Sequence, residues 1–189
     1  MRRILLIIIL IGIWNYSSSQ SSYFPLKKGM KLTYAYGKEI YGGTPYENNT
    51  VEIEILNDTK IIDGKEYFIS KNTSGSMEGD KTVIKSYFRF GNDGSLISKS
   101  DENTEELVVM QKTPTVGYTS PSQGGGTSKV IDLNATIKTP IKTYTNCLII
   151  EFNENQTITR AYYQKDIGMV ATTIVSDGSE KIFIYLISE

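Results

Sequence analysis

The chain has 189 residues and nearly balanced charge, with 20 basic and 21 acidic side chains and a formal net charge of −1. That balance is too mild to indicate nucleic acid, and we expect no nucleic-acid partner. The chain contains no histidine and one cysteine, Cys147. This excludes catalysis by a histidine-containing triad, zinc bound by histidine and any intramolecular disulfide.

The first 20 residues have the pattern of a secretory signal peptide. Arg2 and Arg3 form a basic start, and the apolar run that follows is shorter than the ~20 residues needed to span a bilayer. The alternative for this segment is a single N-terminal membrane anchor. We predict cleavage after Gln20, which leaves residues 21–189 as a single domain with no further membrane span. The protein is then expected to be periplasmic or secreted.

The mature chain begins with short segments that alternate between apolar and polar residues. A first strand is predicted from Lys31 to Ile40. In Val51–Ile55 every second residue is apolar, which indicates a strand with one buried and one solvated face. This alternation favours a solvated position for Glu52 and Glu54 over a catalytic pair of carboxylates. The Asp63-Gly64 dipeptide, between two apolar runs, predicts a type I′ hairpin turn.

A predicted polar loop from Asn72 to Asp80 leads into a predicted strand, Thr82–Phe90. The Asn92-Asp93-Gly94 tripeptide is typical of a turn. A calcium loop that also uses acidic residues 101 and 102 is the alternative, but the EF-hand spacing is absent. The acidic run 101–106 is interpreted as a solvated segment.

The segment Thr119–Ser128 contains a proline and three consecutive glycines, Gly124 to Gly126. No helical segment follows it, as a phosphate-binding loop would require, so it is predicted to be a flexible surface loop. Leu148–Phe152 is partly apolar on both faces, which predicts a central strand. The apolar run Ile182–Ile187 must be paired on both sides to avoid an exposed edge. Its expected neighbours are Met169–Ser176 and the first strand.

Ten to twelve such segments, with no helical period among them, predict an all-β fold. The expected architecture is a single antiparallel meander that curls into a half-barrel or a closed barrel. Cys147 lies in a predicted strand beside Leu148 and has no histidine to activate it. We therefore interpret Cys147 as a small buried hydrophobic residue and not as a nucleophile.

The stretch from 136 to 173 resembles a family of exported all-β proteins of Gram-negative bacteria that are defined only as domains of unknown function. Many members carry a lipidation cysteine near the signal peptide, which this chain lacks. A second similarity to this family is the opening segment Phe24–Gly29. The residues that match the main motif are Thr139-Pro140, Tyr144, Asn146-Cys147-Leu148, Tyr162-Tyr163 and Asp166-Ile167-Gly168-Met169-Val170.

This resemblance implies a curled sheet similar to the half-barrels of the LolA and LolB lipoprotein carriers, and it implies no reaction. The favoured hypothesis is a binding module of the cell envelope for a lipid or another apolar ligand. The alternative is a non-catalytic interaction or assembly protein of the envelope. We expect no enzyme activity, no cofactor and no metal site. The sequence does not identify the ligand-binding residues.

Overall fold

The computed structural model describes residues 22–38, 50–75, 81–122 and 124–189, and in these ranges the chain forms 12 strands and no helix. Three sequence predictions fall outside the described residues: the signal peptide with its cleavage site, residues 39–40 of the first strand and residues 76–80 of the polar loop. The prediction of a loop is wrong for residues 72–75, which belong to a strand that is paired on both sides. The strands are β1 (Lys31–Tyr36), β2 (Thr50–Ile62), β3 (Lys65–Gly75), β4 (Lys81–Phe90), β5 (Leu96–Lys99), β6 (Leu107–Met110), β7 (Thr119–Pro121), β8 (Thr127–Lys138), β9 (Thr143–Glu154), β10 (Thr157–Gln164), β11 (Gly168–Ser176) and β12 (Ser179–Ser188).

All 12 strands belong to one sheet, in the order β6-β5-β4-β3-β2-β1-β12-β11-β10-β9-β8-β7. Each neighbouring pair is antiparallel. The two edge strands, β6 and β7, come close to each other, so the curled sheet is a nearly closed barrel. The predicted all-β antiparallel meander is confirmed.

The first and last strands of the described chain pair with each other in the sheet. Strand β12 lies between β11 and β1, with Leu186 opposite Tyr34 and Ile184 opposite Tyr36. Both predicted neighbours of the C-terminal apolar run are therefore confirmed. The first strand is shorter than predicted, because it ends at Tyr36. The next residue, Gly37, lies so close to β12 that a Cβ atom there would be 1.9 Å from the carbonyl oxygen of Ile182.

The hairpin turns form where Asp-Gly pairs predict them. Asp63 and Gly64 have φ angles of 51° and 74°, and the pair at 177 and 178 has the same values, as a type I′ turn requires. The turn after β9 has no Asp-Gly pair: Asn155 and Gln156 adopt the positive φ angles, and Glu154 still pairs with β10.

The predicted surface loop Thr119–Ser128 is shorter than expected. Thr119–Pro121 forms β7, and Ser120 pairs with Ser128 at the start of β8, where their hydroxyl groups are 2.8 Å apart. The two serines are buried, so the paired ends of this segment belong to the sheet and only its glycine-containing tip remains a loop.

The predicted solvated face of β2 is confirmed. Ile55 is completely buried, whereas Glu52 and Glu54 are partly exposed and lie beside lysines of the flanking strands. The side chain of Glu52 is 3.0 Å from Lys31 on β1, and that of Glu54 is 3.9 Å from Lys71 on β3. Each glutamate is thus part of a surface ion pair. This agrees with the interpretation of Glu52 and Glu54 as residues of a solvated strand face.

Strand β9 is buried on both faces, as predicted for a central strand. Leu148 and Ile150 pack with Ala161 and Tyr163 of β10, and this cluster also contains Leu96 of β5 and other residues from the first half of the chain. The opposite face of β9 contributes to a second cluster. The cluster around Leu148 and Ile150 joins β5 and β6 to β8, β9 and β10, and it forms the floor of the cavity described below.

Candidate functional site

A cleft of about 980 Å³ lies beside the edge strand β6. It lies between the ends of β4, β5 and β6 on one side and β8 with the β10–β11 turn on the other. The segment Ser22–Lys27, before the first strand, forms a further wall. We call this cavity the edge cleft.

The segment Ser22–Lys27 is held in place by backbone and aromatic contacts. The backbone N–H of Asp166 donates to the carbonyl oxygen of Ser22 at 2.8 Å, and the N–H of Ser22 donates to the Asp166 carboxylate at 3.3 Å. The ring of Phe24 lies 5.0 Å from that of Phe88 on β4. These contacts attach the opening segment to two distant parts of the barrel, and the ring contact with Phe88 gives a structural reason for Phe24.

The floor of the edge cleft is apolar. It consists of side chains from the opening segment, from the ends of three strands of the first half and from β8. These side chains are Phe24, Leu26, Phe90, Leu96, Met110 and Leu133. Several of them belong to the cluster around Leu148 and Ile150, so the floor is continuous with the core.

The rim of the edge cleft carries polar groups. Lys27, Lys112 and Lys165 line it together with one carboxylate, that of Asp166. The ammonium group of Lys165 lies 5.5 Å from the centre of the Tyr23 ring. Gln111 also lines the cleft, and its buried side-chain oxygen has no hydrogen-bond partner among the described residues. The cleft therefore combines an apolar floor with a mainly cationic rim.

A smaller groove of about 470 Å³ lies near a polar cluster centred on Glu180. The carboxylate of Glu180 accepts hydrogen bonds from the hydroxyl groups of Tyr162 at 2.6 Å and Thr173 at 2.5 Å, and from Arg160 at 2.6 Å. Burial alone would raise the pKa of Glu180, but the three donors outweigh it and hold this pKa below its ordinary value. Glu180 is therefore ionised and bound within the cluster.

A second carboxylate, Glu106, corrects the prediction that the acidic run is simply solvated. Arg89 donates two hydrogen bonds to it, at 2.8 and 2.7 Å, and Tyr67 and Lys65 donate further ones. The hydrogen bonds from Arg89 are the main reason that the pKa of Glu106 is lowered to about 2. This network connects the residue before β6 to β3 and β4, and sequence periodicity gave no sign of it.

Cys147 lies where the sequence predicted. It is completely buried on β9, and burial raises the pKa of its thiol to about 11. A thiol with so high a pKa is protonated at neutral pH and is a poor nucleophile.

Two acidic residues of the alternative calcium loop, Asp93 and Asp101, form local turn contacts, whereas Glu102 forms an ion pair with Lys60. Asp93 accepts hydrogen bonds from the backbone N–H of Ser95 at 3.0 Å and from its hydroxyl at 2.8 Å. Asp101 accepts hydrogen bonds from the backbone N–H groups of Asn103 and Thr104. Within the described ranges, no three or more His, Cys, Asp or Glu side chains are grouped so that they could hold a metal ion.

The comparisons with known proteins establish the fold. A protein from Bacteroides fragilis, described as a candidate exported protein with a YmcC-like fold, matches with a TM-score of 0.53 at 10% sequence identity, over 88% of this chain and 97% of that one. A candidate lipoprotein from Parabacteroides distasonis matches with a TM-score of 0.50 at 13% identity, with the same coverage of both chains. The three proteins share one fold. At these identities the likeness extends to the fold alone.

No protein-family model matches the chain, and no curated protein does. The sequence resemblance implied an all-β fold of the kind found in exported bacterial proteins. The solved structures support this part of the resemblance. The finer similarity to the LolA and LolB carriers stays a prediction. No helix among the described residues is long and apolar enough to cross a membrane.

Sequence reasoning did not identify the residues of the edge cleft. They come from four separate parts of the chain, around residues 22–27, 90–114, 133 and 165–166, and no local motif connects them. The one available signal in the sequence is the opening segment Phe24–Gly29, which resembles the exported family but does not by itself indicate a cleft.

Proposed function

We propose that this protein is an exported, non-catalytic binding module that holds the apolar chain of a lipid or similar small molecule in the edge cleft. The observation that carries the proposal is the cleft itself, with its volume of about 980 Å³ and its apolar floor. Small-molecule sites typically have volumes of ~300–1,000 Å³ and mainly apolar walls. Each methylene group buried there would contribute about 0.8 kcal/mol.

Export is supported by two independent observations. The first 20 residues have the pattern of a signal peptide, and the two solved structures that share the fold are described as a candidate exported protein and a candidate lipoprotein. A location in the periplasm or outside the cell follows from this reading.

Binding is favoured over catalysis by the state of two carboxylates with perturbed pKa values. Glu106 and Glu180 both have a lowered pKa, and each accepts several hydrogen bonds from neighbouring side chains. A general acid or base would instead need a pKa near the working pH and a substrate within reach. Both carboxylates are best explained as parts of the structure.

The first experiment is extraction of the purified protein with organic solvent, followed by mass spectrometry. We expect a co-purifying amphiphile in an amount comparable to that of the protein. Extracts free of lipid at that sensitivity would count against the proposal and favour the alternative, an interaction or assembly protein of the envelope.

A matched pair of variants locates the binding site. Leu133→Glu places a charge in the floor of the edge cleft, whereas Ile141→Glu makes the same chemical change at an exposed residue that does not line it. We expect Leu133→Glu to lose the co-purifying molecule and Ile141→Glu to retain it, with thermal unfolding measured for both. Retention by a folded Leu133→Glu protein would show that the ligand binds elsewhere.

A further inference from the structure

We infer that the edge cleft selects a single-chain amphiphile with an anionic headgroup, a carboxylate or a phosphate, and that Lys112 and Lys165 bind this headgroup. The inference rests on the proposed function, because it specifies the ligand of the same cleft. It is carried by the distribution of charge around the rim, by the positions of the two lysines and by the absence of an ion-pair partner for either of them among the described residues.

The rim has a charge opposite to that of the whole chain. Lys27, Lys112 and Lys165 line the cleft with the single carboxylate of Asp166, although the chain as a whole has a net charge of −1. The carboxylate of Asp166 already accepts the backbone N–H of Ser22. The local excess of positive charge therefore attracts an anion into a cavity whose floor is apolar.

The three rim lysines belong to the described lysines that form no ion pair, a group that also includes Lys85 and Lys181. Five lysines elsewhere form ion pairs with acidic side chains, whereas none of the three rim lysines is within ion-pairing distance of another described residue. The five pairs are Lys31–Glu52, Lys60–Glu102, Lys65–Glu106, Lys71–Glu54 and Lys99–Asp63. The rim thus presents cations whose charge is available to a ligand.

Two contacts place the lysine side chains along the walls. The stem of Lys112 packs over Gly94, where a Cβ atom would be 2.8 Å from the Lys112 Cδ atom. The ammonium group of Lys165 lies over the Tyr23 ring. The first contact is of the kind in which a lysine stem lies along the protein surface while its charged end stays in water, and the second is a cation–π contact. Asp93, the acidic neighbour of Lys112, accepts two hydrogen bonds from Ser95 and does not line the cleft.

An apolar floor below a cationic rim fits a molecule with one apolar chain and one anionic end. The chain would lie against Leu96, Met110 and Leu133, and the headgroup would remain at the mouth between the lysines. A neutral amphiphile would bury the same chain without the charge interaction. The rim therefore predicts a preference between ligands that share one chain and differ only in the headgroup.

The test is displacement of a neutral fluorescent probe, N-phenyl-1-naphthylamine, from the purified protein by amphiphiles with the same 12-carbon chain. Laurate and dodecyl phosphate are the anionic ligands, and monolaurin is the neutral one. We expect at least one anionic ligand to bind about tenfold more tightly than monolaurin, a difference of about 1.4 kcal/mol. The preference should decrease as salt is raised, because salt screens exposed charges.

The double variant K112Q/K165Q should lose this preference and bind monolaurin as before. The control K85Q/K181Q removes two exposed lysines that do not line the cleft, so the net charge changes equally and the preference should remain. A preference that survives in K112Q/K165Q would overturn the assignment of the headgroup site.

The remaining outcomes separate the two proposals. Equal binding of laurate, dodecyl phosphate and monolaurin would overturn the anionic headgroup and leave the proposed function standing. Failure of all three to displace a bound probe, or failure of the probe to bind, would count against the proposed function itself. Inorganic phosphate should not displace the probe, and displacement by it would show that the apolar chain is not part of recognition. A response to laurate alone or to dodecyl phosphate alone would identify the headgroup and support the inference.

Discussion

Glu106 shows how a single residue can connect distant strands of this barrel. Its carboxylate receives hydrogen bonds from Arg89 on β4 and from Tyr67 and Lys65 on β3. The bidentate contact with Arg89 is the geometry in which an ion pair contributes most. Since Glu106 directly precedes β6, the network fixes the start of an edge strand that has only one strand neighbour.

Glu106→Gln should lower the free energy of unfolding by about 1.5–3 kcal/mol at pH 7, because it removes hydrogen bonds to a charged group. The pKa of Glu106 in the folded protein is about 2, below its ordinary value of 4.5. The stability that this carboxylate contributes is therefore complete above pH 4.5 and is lost as the pH falls toward 2. Urea unfolding between pH 2 and 7 measures both effects. Glu105→Gln, at an exposed neighbour, is the control, and an equal loss in the control would contradict the assignment.

Cys147→Ser should destabilise the protein by about 1–3 kcal/mol, because it places a hydroxyl group in a buried site. The thiol is completely buried, and its weak contact with the Thr145 carbonyl oxygen is 3.9 Å long. The native protein should react with a maleimide only after unfolding. Rapid labelling under native conditions would show that β9 opens locally, and ligand binding should be unchanged in the serine variant.

At the scale of elements, β12 is the strand that joins the two ends of the chain. It is paired on both sides, with β11 through residues such as Ile182 and with β1 through Leu186. Deletion of 182–189 should abolish soluble expression, because it would expose the edges of both neighbours and remove Ile184 and Leu186 from the core. A truncated protein that remains monomeric with a cooperative thermal transition would contradict this role.

The elements could be predicted where local chemistry determines them. Asp63-Gly64 specified its hairpin, and the alternation in Val51–Ile55 specified both faces of β2. Strand β7 was missed because its three residues, next to a glycine-rich tip, carry no periodic signal of their own. Its existence depends on the pairing of Ser120 with Ser128, two positions that both lie in the predicted loop.

At the scale of the whole molecule, the curled meander could be predicted but the position of its opening could not. Pairing of β1 with β12 moves the opening away from the chain ends to the middle of the chain, between β6 and β7. The edge cleft depends on this closure and on register shifts, such as those between Val130 and Ile137 on β8. Such long-range features have no local sequence signature, which is why the fold class was predictable and the cleft was not.

The contact between Ser22 and Asp166 has a consequence for when the protein becomes able to bind. Ser22 lines the cleft, and the predicted cleavage after Gln20 lies only two residues before it. In a precursor, a peptide bond would join Ser21 to the leader. Cleavage would replace it with an α-amino group, whose ordinary pKa of about 7.7–8.0 makes it largely cationic at neutral pH. Removal of the leader would thus add a positive charge near the rim, and the finished binding site would belong to the processed protein and not to its precursor.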